Sequence, residues 1–168
     1  MSCAPGSFKD VNGSAACTMC SHGKYSTAVA AISMFTCDQC PAGAFSGLGS
    51  RQLTNCTCNK GYTGPDGYAC KACITGTYKD VNGTASCTLC SSGKYSVFPA
   101  AISEDTCMHC PSNSWSGDGS GTLTNCSCNT GFAGTDNVIC SPCGDHHYKN
   151  FSGNSPCLLC PPKAHTGG

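Results

Sequence analysis

Nineteen cysteines stand in a chain of 168 residues, and three chemistries are open to them: disulfide bonding, thiolate ligation of a metal, and thiol exchange. Cys17, Cys20, Cys37 and Cys40 form two Cys-x2-Cys pairs sixteen residues apart, and Cys87, Cys90, Cys107 and Cys110 repeat the arrangement. That spacing suits a tetrahedral four-thiolate zinc site. The same pairs imitate thioredoxin-like redox motifs, but those need a βαβ setting, which this sequence does not offer. Disulfides account for more of the pattern. Each full repeat carries an even eight cysteines, the Cys56-Thr-Cys58 element has no use in a zinc ribbon, and 19 cysteines in 168 residues exceed the ~8–10% that marks a disulfide scaffold. A disulfide framework without a cofactor is the expectation, and zinc modules with four cysteine ligands are the minor alternative.

Other side chains offer little chemistry. Asp145, His146 and His147 make the one polar cluster with metal-binding or acid–base potential, and His146 occupies a position that elsewhere holds a loop-opening Gly. Glu104 and Asp105 are matched in the sister repeat by Met34 and Phe35, so no paired-carboxylate mechanism is indicated. The sequence predicts no enzyme. Nine basic residues balance nine acidic ones and Arg51 is the sole arginine, which argues against nucleic acid or an anionic membrane as a partner. Covalent glycans are the expected decoration. Asn12, Asn55, Asn82, Asn125 and Asn150 each open an Asn-x-Ser/Thr acceptor, and Asn12 and Asn82 lie in Asp-Val-Asn-Gly turns that should be exposed.

The cysteines are positioned by a repeat. Cys3, Cys17, Cys20, Cys37, Cys40, Cys56, Cys58 and Cys70 recur seventy residues later as Cys73, Cys87, Cys90, Cys107, Cys110, Cys126, Cys128 and Cys140, and Cys143, Cys157 and Cys160 open a third copy. Residues 3–72 and 73–142 share 38 identities in 70 without an insertion or deletion, followed by a partial repeat over 143–168. A period of this kind signals units that stack or string rather than one large core. Met1 falls inside the repeat frame and Cys160 is left without an obvious partner, which suggests a window from a longer repetitive polypeptide; a subunit whose Cys160 reaches a neighbouring chain is the rival reading.

Within a repeat, loops of 13, 16, 15 and 11 residues are separated by connectors of two, two, one and two. The layout suggests pairing Cys3 with Cys17, Cys20 with Cys37, Cys40 with Cys56 and Cys58 with Cys70, then the same in the second copy and Cys143 with Cys157. An interleaved pattern across Cys17, Cys20, Cys37 and Cys40 remains open, since eight cysteines permit 105 connectivities. Three residues after most loop-opening cysteines comes Gly, and one or two later an aromatic: Phe8, Tyr25, Phe45 and Tyr62, then Tyr78, Tyr95, Trp115 and Phe132, then Tyr148. The Gly implies a positive-φ turn, and the ring is expected to cover a neighbouring disulfide in place of a core.

Composition agrees with a coreless chain. Fifteen Ala equal Leu, Ile and Val combined, and charged residues make up 11%, so cross-links worth roughly 3 kcal/mol for a fifteen-residue loop must replace apolar burial. Such bonds require an oxidising compartment. No apolar stretch is long enough for a membrane span. Short strands are expected in Ser7–Val11, Lys24–Thr27 and Leu53–Cys56, and one helical turn in Ala28–Ser33. The expected fold is small, disulfide-rich and mostly irregular with short β-hairpins, drawn out into an elongated tandem-repeat rod.

Cys20-Ser-His-Gly-Lys-Tyr-Ser, followed by Cys37-Asp-Gln-Cys40-Pro-Ala-Gly-Ala-Phe-Ser, resembles the ephrin-receptor-like cysteine-rich repeats, related in style to tumour necrosis factor receptor modules. Cys56-Thr-Cys58-Asn-Lys-Gly-Tyr-Thr-Gly through Cys70 is similar to the C-terminal half of an EGF module, in which the last two cysteines pair. The acidic residues that precede the first cysteine of calcium-binding EGF modules are not matched. The resemblance implies an extracellular or cell-surface protein. Indel-free repetition favours a structural glycoprotein that builds a rod, coat or filament through self-association or neighbouring repeats of a longer chain. The alternative is a receptor or adhesion ectodomain, for which the repeat-specific residues Phe35 and Phe98 are the candidate contacts.

Overall fold

The computed structural model describes residues 2–11, 13–134 and 139–162. Its regular structure consists of two-residue strands and three-residue 3-10 turns, with no α-helix among the described residues. The strands pair as nine antiparallel hairpins. In the first repeat these are β1 (Ser7–Phe8) with β2 (Thr18–Met19), β3 (Lys24–Tyr25) with β4 (Asp38–Gln39), β5 (Ala44–Phe45) with β6 (Thr57–Cys58), and β7 (Tyr62–Thr63) with β8 (Lys71–Ala72). Every hairpin follows one rule. The aromatic strand four or five residues into a loop pairs with the connector that follows the closing cysteine, so the hairpin crosses its own disulfide.

The opening turn explains the Gly pattern. All nine loops adopt positive φ three residues after the first cysteine, at Gly6, Gly23, Gly43, Gly61, Gly76, Gly93 and Gly131, and also at Asn113 and His146, where φ is 61° and 62°. Asn is the side chain that tolerates this region best after Gly. At Gly76 a second constraint operates, because a Cβ there would run into the carbonyl of Gly119.

Two expectations fail, each for a local reason. Leu53–Asn55 is a 3-10 turn and not a strand, because the Asn55 Oδ1 accepts the N–H groups of Arg51 and Gln52 at 3.0 and 3.1 Å and closes the chain on itself. The strand falls on Thr57–Cys58 instead. Ala28–Ser33 is not helical: Ala30 has φ of 55° and donates its N–H to the Cys3 carbonyl at 2.7 Å, which pins the segment to the preceding loop. The 3-10 turn comes later, at Met34–Thr36, where the Ser33 hydroxyl accepts the Phe35 N–H.

The residues group into two compact units, Met1–Cys73 with Lys79–Cys87, and Ile74–Tyr78 with Thr88–Gly168. Among the described residues neither has a conventional core. The buried apolar residues of the described chain are eleven half-cystines with Ala31 and Ala101, so covalent sulfur occupies the place aliphatic side chains would otherwise fill. No helix of the described residues is long and apolar enough to cross a membrane.

Candidate functional site

The structure joins Cys3 to Cys17, Cys20 to Cys37, Cys40 to Cys56 and Cys58 to Cys70. It joins Cys73 to Cys87, Cys90 to Cys107, Cys110 to Cys126, Cys128 to Cys140 and Cys143 to Cys157. Cys17, Cys20, Cys37 and Cys40 are therefore divided among three disulfides, and a disulfide sulfur has no thiolate to give a metal. The zinc alternative fails on that ground at both quartets. Among the described residues no group of His, Cys, Asp and Glu side chains converges as a metal site. Cys160 is a free, half-buried cysteine whose N–H donates to the His146 carbonyl at 2.7 Å.

What recurs between the loops is a polar seam. The opening Gly of one loop donates its N–H to the carbonyl of the residue six positions beyond the first cysteine of the next: Gly6 to Ser26, Gly23 to Ser46, Gly61 to Lys79, Gly76 to Ser96, Gly93 to Ser116 and Gly131 to Lys149, all at 2.7–2.9 Å. The side chains at all six acceptor positions are buried, although each is polar. Ser46 and Ser116 donate their hydroxyls to the carbonyls of Lys24 and Lys94, each at 2.8 Å. Small hydroxyls let the loops approach closely and still satisfy a carbonyl that would otherwise be stranded.

Where one repeat meets the next, Lys takes the place of Ser. Lys79 is 1% exposed, and its Nζ donates to the carbonyls of Tyr62 at 2.7 Å and Gly83 at 2.6 Å. Lys149, 4% exposed, donates likewise to Phe132 and Gly153. Burial pushes the Lys79 pKa below its usual 10.5, and the negative charge of Asp66 opposes that shift in part. Lys9, at the same repeat position, is half-buried and donates to the Gly13 carbonyl at 2.6 Å. Sequence reasoning missed these lysines because a charged residue reads as solvated. The available signal was the recurrence of Lys at 9, 79 and 149 beside Ser at 26, 46, 96 and 116.

Some of the aromatic residues also sit at the loop junctions. Seven of the nine are half-buried, whereas Phe45 and Trp115 are exposed. Three of the rings lie against the opening turn of the preceding loop: Phe45 over Gly23, Tyr62 over Gly43 and Trp115 over Gly93. Phe45 also stacks on His22, with centroids 5.8 Å apart and planes 7° from parallel. At Gly43 and Gly93 the missing Cβ therefore makes room for a ring as well as permitting the turn, whereas a Cβ at Gly23 would meet Phe45 at ordinary contact distance.

The candidate contact residues lie on the surface. Phe35 is 90% exposed and Phe98 52%. Asn55, Asn82, Asn125 and Asn150 are exposed, and Asn12 lies outside the described residues. Asn55 and Asn125 both end 3-10 turns and are each followed by a buried half-cystine, Cys56 or Cys126. The Asn82 Oδ1 accepts the Lys60 N–H at 3.0 Å.

The sequence pattern of the family described as "Tyrosine-protein kinase ephrin type A/B receptor-like" matches residues 61–107 and 130–168, a little over half of the chain. A mouse (Mus musculus) protein, "Sushi, von Willebrand factor type A, EGF and pentraxin domain-containing protein 1", is 27% identical over 162 residues. The alignment takes in 95% of this chain and 4% of that protein's length.

Proposed function

We propose, for a chain that belongs to the ephrin type A/B receptor-like cysteine-rich family, that it is an extracellular structural glycoprotein. In this reading it is a tandem-repeat element of a rod, coat or filament that works by presenting repeated surfaces and not by catalysis. The observation that carries the reading is the seam: the same Gly-to-carbonyl bond, with a buried Ser or Lys at the acceptor position, recurs at six loop junctions. A chain that repeats this backbone bond, and at four of the six positions adds a side-chain bond from Ser46, Lys79, Ser116 or Lys149 to the preceding loop, is suited to a regular tandem array. Nine closed disulfides and the absence of an aliphatic core among the described residues support an oxidising, extracellular setting.

Electron microscopy of the native material tests this. Periodic filaments or a coat lattice are expected, and isolated flexible particles under all assembly conditions would remove the proposal. A receptor or adhesion role is the second reading, favoured by the large exposed apolar side chain of Phe35 in a loop that differs between the repeats. Its mark would be tight binding of one extracellular protein that Phe35→Ser weakens.

A further inference from the structure

The loop between Cys20 and Cys37 differs from its sister between Cys90 and Cys107 in a way that bears on recognition. In the second repeat, the Lys94 ammonium is held by Glu104 at 2.9 Å. In the first, the equivalent positions are Lys24 and Met34, and among the described residues no carboxylate pairs with Lys24. The backbones match. Ser33 has φ −151° and ψ 146° where Ser103 has −150° and 149°, and each hydroxyl accepts the N–H two residues on. Met34 and Glu104 thus leave the same turn in the same direction, but one brings a thioether where the other brings a charge.

Lys24 and Met34 border a groove of about 200 Å³ whose wall is completed by Phe8, Met19 and Ser21. It lies within the first unit. Its lining is mainly apolar, with a half-buried lysine at the edge. Phe35, beside Met34, is almost fully exposed. We propose that this groove binds a segment of a partner protein in which an acidic side chain sits between apolar ones. The carboxylate takes the position that Glu104 fills in the sister repeat, and the apolar neighbours rest on Phe8, Met19 and Met34. The inference goes beyond a structural role, because it gives the first repeat a recognition surface that the second closes with its own side chain. The ion pair alone gives little affinity at so exposed a site and acts as a selector, while apolar contact supplies most of the binding.

The test is an NMR titration of the full chain with capped Leu-Glu-Phe and Leu-Gln-Phe tripeptides at millimolar concentration. Saturable shifts are expected at the Met19 and Met34 methyls and at Phe8 and Lys24. The Gln peptide should bind about two- to fivefold more weakly, the range of an exposed ion pair. Met34→Glu installs the sister repeat's own carboxylate and should abolish the shifts; Lys24→Gln should erase the preference for Glu over Gln. If either variant fails to fold, the other together with the Gln peptide still decides. No saturable shift with the unaltered chain, equal binding of both peptides, or undiminished binding to folded Met34→Glu would each overturn the proposal. Peptide-free shifts of the same resonances with protein concentration would assign the groove to a second copy of the chain and overturn the partner segment.

Discussion

The ammonium of Lys79 lies 2.7 Å from the carbonyl of Tyr62, seventeen residues earlier and in the preceding disulfide loop. The same ammonium reaches Gly83 at 2.6 Å. One buried cation thus ties the last loop of the first repeat to the turn of the next. Lys79→Met keeps most of the side-chain volume but strands both carbonyls, and each unsatisfied buried acceptor costs about 1–3 kcal/mol. The expected result is a loss of roughly 3 kcal/mol in this region, read as faster amide exchange at Gly61 and Gly83, whose N–H groups donate to the carbonyls of Lys79 and Cys58. Protection unchanged at both amides would show that the lysine does not hold the seam.

The pH dependence of that seam has a definite sign. Burial lowers the Lys79 pKa below 10.5, with Asp66 opposing, so between the depressed folded value and 10.5 the unfolded chain binds more protons than the folded one. Stability contributed at this site therefore rises with pH through that window and is lowest below it, where the charged form must be kept buried. A Cys160→Ser background avoids thiol exchange in alkali. Thermal melts of the oxidised protein across the alkaline range should show the rise, and Lys79→Met should flatten it. A fall in stability over the same range that is identical in both proteins would contradict the assignment.

The repeat frame, the loop boundaries and the left-handed opening turns were legible because each follows from spacing or from a residue with one conformational speciality. Gly is the clearest case, and Asn113 and His146 hold the same turn without it. What sequence pattern could not supply was the destination of side chains with two plausible homes. Leu53-Thr-Asn55 has the composition of a strand, but Asn55 turns back on its own backbone. That Phe45 and Trp115 lie over the glycines of the preceding loop was not marked by their spacing from the cysteines. Lys79 and Lys149 were marked only by their recurrence with Lys9 in the repeat, because their partners are carbonyl oxygens, which every residue possesses. The groove beside Lys24 emerges only once Glu104 is seen holding Lys94.

Opening-turn substitutions should separate conformation from crowding. Gly76 has φ of 78° and faces the Gly119 carbonyl, so Gly76→Ala meets both a left-handed penalty and a backbone clash. A loss of about 2 kcal/mol or more is expected. His146→Gly relieves a non-Gly residue at φ 62° and should gain up to about 1 kcal/mol, reduced by the greater freedom of Gly in the unfolded chain. Calorimetry of the oxidised proteins checks both signs, and a Gly76→Ala variant as stable as its parent would show that the junction can open without cost.

Glycan occupancy should depend on when the disulfides close. Asn55 and Asn125 each precede a cysteine that becomes a buried half-cystine, and their Oδ1 atoms are bound to backbone N–H groups, Arg51 and Gln52 in one case and Thr122 in the other. Once Cys40–Cys56 and Cys110–Cys126 have formed, the acceptor tripeptide cannot extend into a transferase. Transfer must then precede closure. Asn82 and Asn150 have Gly and Phe as their middle residues, and although the Asn82 Oδ1 accepts the Lys60 N–H, neither acceptor tripeptide contains a half-cystine. In a secretory host, Cys40→Ser should raise occupancy at Asn55 severalfold and leave Asn82 unchanged, as read by glycopeptide mass spectrometry. Equal occupancy at Asn55 with and without the Cys40 partner would mean that the folded turn is no barrier, and a parallel rise at Asn82 would point to slower folding of the whole chain as the cause.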